Sequence, residues 1–148
     1  MTALLPTLGV NFAPLQVVLE WDDEASPRRP IEAAMHYRDV GASVAVVMRR
    51  PGSYHLVADV RWWSRRALAA HWGADLNAAD LWQARGYPTL RVSLREGEVP
   101  QVLFAHLAAP HARREREWSA LVAWLALISG EKSLSTSAYM QPAREASA

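Results

Sequence analysis

The sequence predicts an α+β domain: a single mixed or antiparallel sheet of about five strands in two β-hairpins, with helices mainly on one face and the order βαββααββα. Three observations lead there. Apolar and β-branched residues recur at alternate positions on both sides of Pro51-Gly52 and again around Glu96-Gly97-Glu98. Segments of helical period stop at Gly41, Gly73, Gly86 and Gly130. No stretch repeats at a solenoid period.

Leu15, Val17, Leu19 and Trp21 alternate with Gln16 and Glu20, which predicts a strand, although Phe12, Leu15, Val18 and Leu19 also fit a helical stripe. Asp22 to Pro30 turns from acidic to basic and reads as a loop feeding a helix with Pro30 in its first turn. Ile31, Ala34, Met35 and Arg38 keep helical spacing up to Gly41, where a left-handed cap is needed. Ala42 to Arg49 and Tyr54 to Trp62 are β-rich runs joined by Arg50-Pro51-Gly52-Ser53, a type II turn in which proline pre-sets one φ and glycine accepts the positive one. On the second of these strands Tyr54, Leu56, Ala58, Val60 and Trp62 share an apolar face. His55, Val57, Asp59, Arg61 and Trp63 share a mixed one.

Ser64 caps a helix from Arg65 to Trp72, and Asn77 caps another carrying Leu81 and Trp82. Leu90, Val92 and Leu94 alternate with Arg91, Ser93 and Arg95, and the chain returns from Val99 to Leu107 as the second hairpin. Pro110 opens the longest helix, charged from His111 to Glu117 and wholly apolar from Ala120 to Ile128. Trp118, Leu121, Val122, Leu125 and Ile128 form its core stripe, while Trp124 and Leu127 project to other sides. Residues 1–130 make one domain, and 131–148, Ser- and Ala-rich and aperiodic, a disordered tail.

A chain of 148 residues, 51% hydrophobic and 21% charged, can bury one core without cross-links. It has no cysteine, which excludes disulfide, thiol, iron–sulfur and cysteine–zinc chemistry. It has neither a signal-peptide pattern nor a run of about 18 apolar residues, so the expected location is cytoplasmic, with no membrane partner. The formal net charge of +1 gives no overall attraction to polyanions, and Lys132 is the only lysine.

The five histidines, His36, His55, His71, His106 and His111, show no metal-binding spacing. No GxSxG or SxxK places a serine nucleophile, and no glycine-rich loop cradles a phosphate. Glu20, Asp22, Asp23 and Glu24 could hold a hard cation, but the DxDxDG loop is missing and a solvated loop is expected. No catalytic residue, metal or cofactor is assigned.

Arg61-Trp62-Trp63-Ser64-Arg65-Arg66 alternates cations with indoles, with Arg49 and Arg50 expected beside it and Arg91 and Arg95 extending it. Arginine forks suit phosphates and exposed rings stack bases. The ligand-binding candidates are therefore Arg49, Arg50, Arg61, Trp63, Arg65, Arg66, Arg91 and Arg95. Leu121, Trp124, Leu127 and Ile128 are the interface candidates, because an all-round apolar helix suits an oligomer. The leading expectation is a non-catalytic binding or scaffold protein that self-associates or takes a protein partner. The alternative is single-stranded nucleic-acid binding through the Arg/Trp strip. The third is an enzyme with His55, Asp59 and Arg61 on the mixed sheet face.

Overall fold

Residues 9–92 and 99–131 are described by a computed structural model. In chain order the elements are β1 (Gly9–Asn11), β2 (Gln16–Trp21), α1 (Arg28–Asp39), β3 (Val44–Arg50), β4 (Ser53–Arg61), α2 (Arg65–Trp72), α3 (Leu76–Arg85), β5 (Thr89–Arg91), β6 (Gln101–His106) and α4 (Glu115–Glu131). The mixed α+β class holds, but the strands form two antiparallel sheets: four strands in the order β2-β4-β3-β6, and a separate β1-β5 pair. Among the described residues the expected second hairpin does not form, since β5 pairs with β1 and β6 with β3. Its turn at Glu96-Gly97-Glu98, with Leu94 and Arg95, lies outside the described residues, as does the tail from 132 onward.

The first hairpin forms where the sequence places it. Arg50 faces Ser53 across Pro51-Gly52, and Gly52 has a φ of 91°, the sign a type II turn demands. The register slips between Met48 and Arg50, a bulge that bends the end of β3. Gln16–Trp21 is a strand, with Leu15 in the turn before it, because its period-two set Val17, Leu19 and Trp21 packs into one core layer while Val18 packs into the other.

Helices cover both faces of the sheet, not one. The first layer joins Val17, Leu19, Trp21, Val44, Val46, Leu56 and Ala58 to Ala33, Ala34 and Tyr37 of α1 and Leu68 and Ala69 of α2. The opposite layer joins Val18, Ala45, Val47 and Val57 to Phe12, Trp82, Leu90, Val92 and the α4 residues Leu121, Trp124 and Ile128. Each large side chain removed from water in these layers contributes on the order of 1.5–3 kcal/mol. Among the described residues no helix is long and apolar enough to cross a membrane.

Local caps hold the helices that frame the site. The Ser64 side chain accepts from Ala67 N–H, and α2 ends at Gly73 with φ 66°. The cap of α3 is Asp75, not Asn77: its carboxylate accepts from the N–H groups of Asn77 and Ala78. A residue two positions before Asn77 wins because its oxygen reaches the first free donors of the helix. Helix α4 begins at Glu115 rather than at Pro110, and Trp124, fully buried against Phe12, is the centre of its core stripe rather than off to one side.

The end of the mixed face near Arg61 is a closed polar latch. Gln16, fully buried, accepts from Ala13 N–H at 3.3 Å and donates to Ala58 O at 3.2 Å and Glu117 O at 2.8 Å. Arg65, also buried, donates to the carbonyls of Gln16 and Pro14. Arg61 pairs with Glu117 at 2.6 Å, and Asp59 accepts from Ser43 N–H at 3.0 Å with Arg114 at 3.6 Å. These bonds fasten α4 and the β1–β2 connection to the sheet.

Candidate functional site

At the opposite end of the same face a cleft of about 530 Å³ opens between the sheet, α3 and the β1-β5 pair. Glu20 of β2 stands across from His55 of β4 in the strand register. Asp22 follows β2, and Asp75 is brought in because its N–H donates to Glu20 O at 2.7 Å. One carboxylate oxygen from each of Glu20, Asp22 and Asp75 lies within 4.8 Å of the others. Arg49 and Arg50 come from the end of β3, Arg85 from the last turn of α3 and Arg91 from β5.

The lining is polarised. The carboxylates gather at β2 and the start of α3, whereas the arginines gather at β3, β5 and the far end of α3, about 15 Å along the helix from Asp75. Ala78, Leu81 and Trp82 supply an apolar wall between them. A second hollow of about 300 Å³ adjoins the acidic side and shares Asp22 and Asp75.

Burial, with the charges of Asp22 and Asp75, pushes Glu20 up to about 7. Burial, with Arg49 and Arg50 nearby, pushes His55 down to about 3. The imidazole is therefore neutral at physiological pH, so its approach to Glu20 Oε1 at 3.9 Å is not an ion pair. His55 is 3% exposed, and its Nδ1 has no hydrogen-bond partner among the described residues.

The arginines expected to form one strip are divided between two places. Hairpin geometry sets Arg50 opposite Ser53, so Arg49 and Arg50 lie at the start of β4 and Arg61 at its end, roughly 25 Å away. Arg49 is buried and donates to Arg91 O; Arg50 and Arg91 line the cleft. At the other end Arg65 is buried, Arg61 is tied to Glu117, and Arg66 pairs with Asp80 at 2.6 Å. Trp62 and Trp63 do stand out, 43% and 76% exposed, over a small hollow with Leu15 and Gln83. Arg95 lies outside the described residues.

His55, Asp59 and Arg61 share a face but not a site. Four residues of strand, about 13 Å, separate His55 from Asp59, with Val57 and the α4 layer between them. Leu121, Trp124 and Ile128 lie in the domain's own core and Leu127 is half-buried against it. Of the acidic residues read as solvated loop, Glu20 lies on β2 and is partly buried, whereas Asp22, just after the strand, is exposed; both line the cleft. Asp75 and Arg85 were not singled out by the sequence. The usable signal was the inward register of Glu20 opposite His55, which the hairpin alone does not reveal because β2 joins the sheet from elsewhere in the chain. The chain finds no match among protein-family models, curated proteins or solved structures.

Proposed function

We propose that the protein binds a small phosphate-bearing ligand in the cleft at the His55 end of the mixed sheet face. The observation that carries this reading is the convergence of Arg49, Arg50, Arg85 and Arg91, from three separate elements, on one side of a single cleft. Guanidinium forks pair with phosphate oxygens through parallel N–H bonds, and the volume is that of a small-molecule site. The wall of Leu81 and Trp82 suits the apolar part of such a ligand.

Trp82 makes the test direct. Calorimetric and fluorescence titrations with inorganic pyrophosphate and with nucleoside di- and triphosphates, in EDTA and low salt, should show saturable binding. Arg85→Glu should weaken it at least about tenfold, while Trp63→Ser leaves it unchanged. Absence of saturation up to about 10 mM, or an Arg85→Glu variant that binds as well as wild type, would overturn the reading.

A second reading, single-stranded nucleic acid on the Trp62–Trp63 surface, is favoured by the exposure of two adjacent indoles near Arg66. It requires quenching by an oligonucleotide that weakens steeply with salt and disappears in Trp62→Ser/Trp63→Ser.

A further inference from the structure

Three carboxylates on one spot repel one another unless a proton or a cation is shared between them, and Arg49 is the nearby positive charge acting on Glu20. In this chain backbone and side-chain hydrogen bonds position the two aspartates. The Asp75 N–H bond to Glu20 O joins the start of α3 to β2. Asp22 Oδ1 accepts from Ser53 Oγ at 3.2 Å, and Asp75 Oδ1 is occupied by the N–H groups of Asn77 and Ala78. Each of these aspartates thus uses one oxygen to hold its position.

His55 is the independent pointer. A side chain 3% exposed, lining the same cleft, with Nδ1 unpartnered and Nε2 turned toward Glu20 at 3.9 Å, is a buried polar group with unspent capacity. Buried polar atoms without partners are rare in folded proteins and mark places where an ion or water belongs.

We propose that Glu20, Asp22 and Asp75 form a binding site for one divalent cation, with His55 facing it from β4. Oxygen-rich, carboxylate-dominated sets select hard cations. Oxygens bound to one ion at the calcium distance can stand up to about 5 Å apart, so a trio whose oxygens lie within 4.8 Å of one another needs at most a slight closing to hold such an ion. The shorter magnesium distance allows at most about 4 Å and needs the trio to close. The order of affinity should therefore place Ca²⁺ ahead of Mg²⁺. His55 acts as a positioning residue, accepting a hydrogen bond from a water on the ion or turning onto it directly. The site lies in the cleft discussed above but needs no anion, so the two readings fail separately.

The probe is the metal alone. EDTA-treated, buffer-exchanged protein titrated with MnCl₂ and followed by loss of the free Mn²⁺ resonance signal, with CaCl₂ and MgCl₂ as competitors and no phosphate present, should take up one ion per chain. Asp22→Asn/Asp75→Asn keeps the α3 cap at position 75 and a hydrogen-bond acceptor at both positions, so it should fold, and should bind at least about tenfold more weakly. His55→Asn should lower affinity less. Melting curves supply a second readout: in EDTA the double variant should melt above wild type, since repulsion is relieved, and added Mn²⁺ should raise only the wild type. No saturable uptake at millimolar Mn²⁺, or uptake unaltered in the double variant, overturns the proposal. Arg85→Glu leaving Mn²⁺ uptake intact while abolishing pyrophosphate binding would separate this site from the anion site.

Discussion

At one end of the mixed sheet face Gln16 is fully buried and makes three hydrogen bonds; at the other His55 is almost as deeply buried and makes none among the described residues. Among the described residues the latch end closes nearly every polar group on a partner, Glu117 Oε2 and, in the adjoining α4 layer, Trp124 Nε1 being exceptions. The cleft end crowds carboxylates together and leaves an imidazole idle. Polarity on a buried face is thus not in itself a mark of function. What separates a structural network from a site is whether its hydrogen-bonding capacity is already used, and substitutions that remove capacity should have opposite signs at the two ends.

The largest effect belongs to the latch. Gln16→Leu conserves volume but leaves the N–H of Ala13 without its side-chain acceptor and removes a bond accepted by each of the carbonyls of Ala58 and Glu117, and unsatisfied buried groups cost about 1–3 kcal/mol each before relaxation. A net loss of about 2–4 kcal/mol in urea unfolding is expected. Arg65→Met should cost a similar amount by orphaning Gln16 O and Pro14 O. A loss below about 1 kcal/mol in both would mean the latch is replaceable by solvent and would erase the contrast.

His55→Leu is the mirror experiment. It removes a buried neutral ring with no hydrogen bond and restores an apolar side chain beside Val47, its partner across β3. In metal-free buffer stability should be unchanged or rise by about 1 kcal/mol. A loss comparable to that of Gln16→Leu would show that His55 is as structural as the latch, and would remove the observation that sets the cleft apart.

Much of the frame that creates this contrast was legible in the sequence. The Pro51-Gly52 turn, the Ser64 cap and the glycine stop at Gly73 are local signals, governed by φ and by the nearest free N–H groups, and each is where the residues put it. The errors are non-local. Pairing of β5 with β1 rather than β6 depends on chain segments some 80 residues apart, as the Gly9–Arg91 register shows. Arg49 and Arg50 were set beside Arg61 although an antiparallel turn must send them to the opposite end of β4. The cleft itself was hidden for the same reason. Glu20, His55 and Asp75 come from three elements, and no spacing along the chain records that the Asp75 backbone bonds to β2.

The smallest expected effect sharpens the comparison from within the latch, at Asp59. Burial raises its pKa above the ordinary carboxylate value, with the Glu117 charge adding to the shift, while Arg114 at 3.6 Å and the Ser43 N–H oppose it. Between the unfolded value and the raised folded one, the native state holds a proton that the unfolded chain has released. Stability owed to this residue is therefore fully present at low pH and declines as pH rises through that window, levelling off above the folded pKa. Asp59→Asn keeps an oxygen for Ser43 N–H but has nothing to titrate. Urea midpoints of wild type and Asp59→Asn at several values from pH 3.5 to 7 should show the wild type losing ground to the variant as pH increases. The opposite slope would mean that Arg114 and Ser43 outweigh burial, so that the Asp59 charge itself clamps the latch, and the closed end of the face would then rest on ionic pairing rather than on the hydrogen bonds of Gln16 and Arg65.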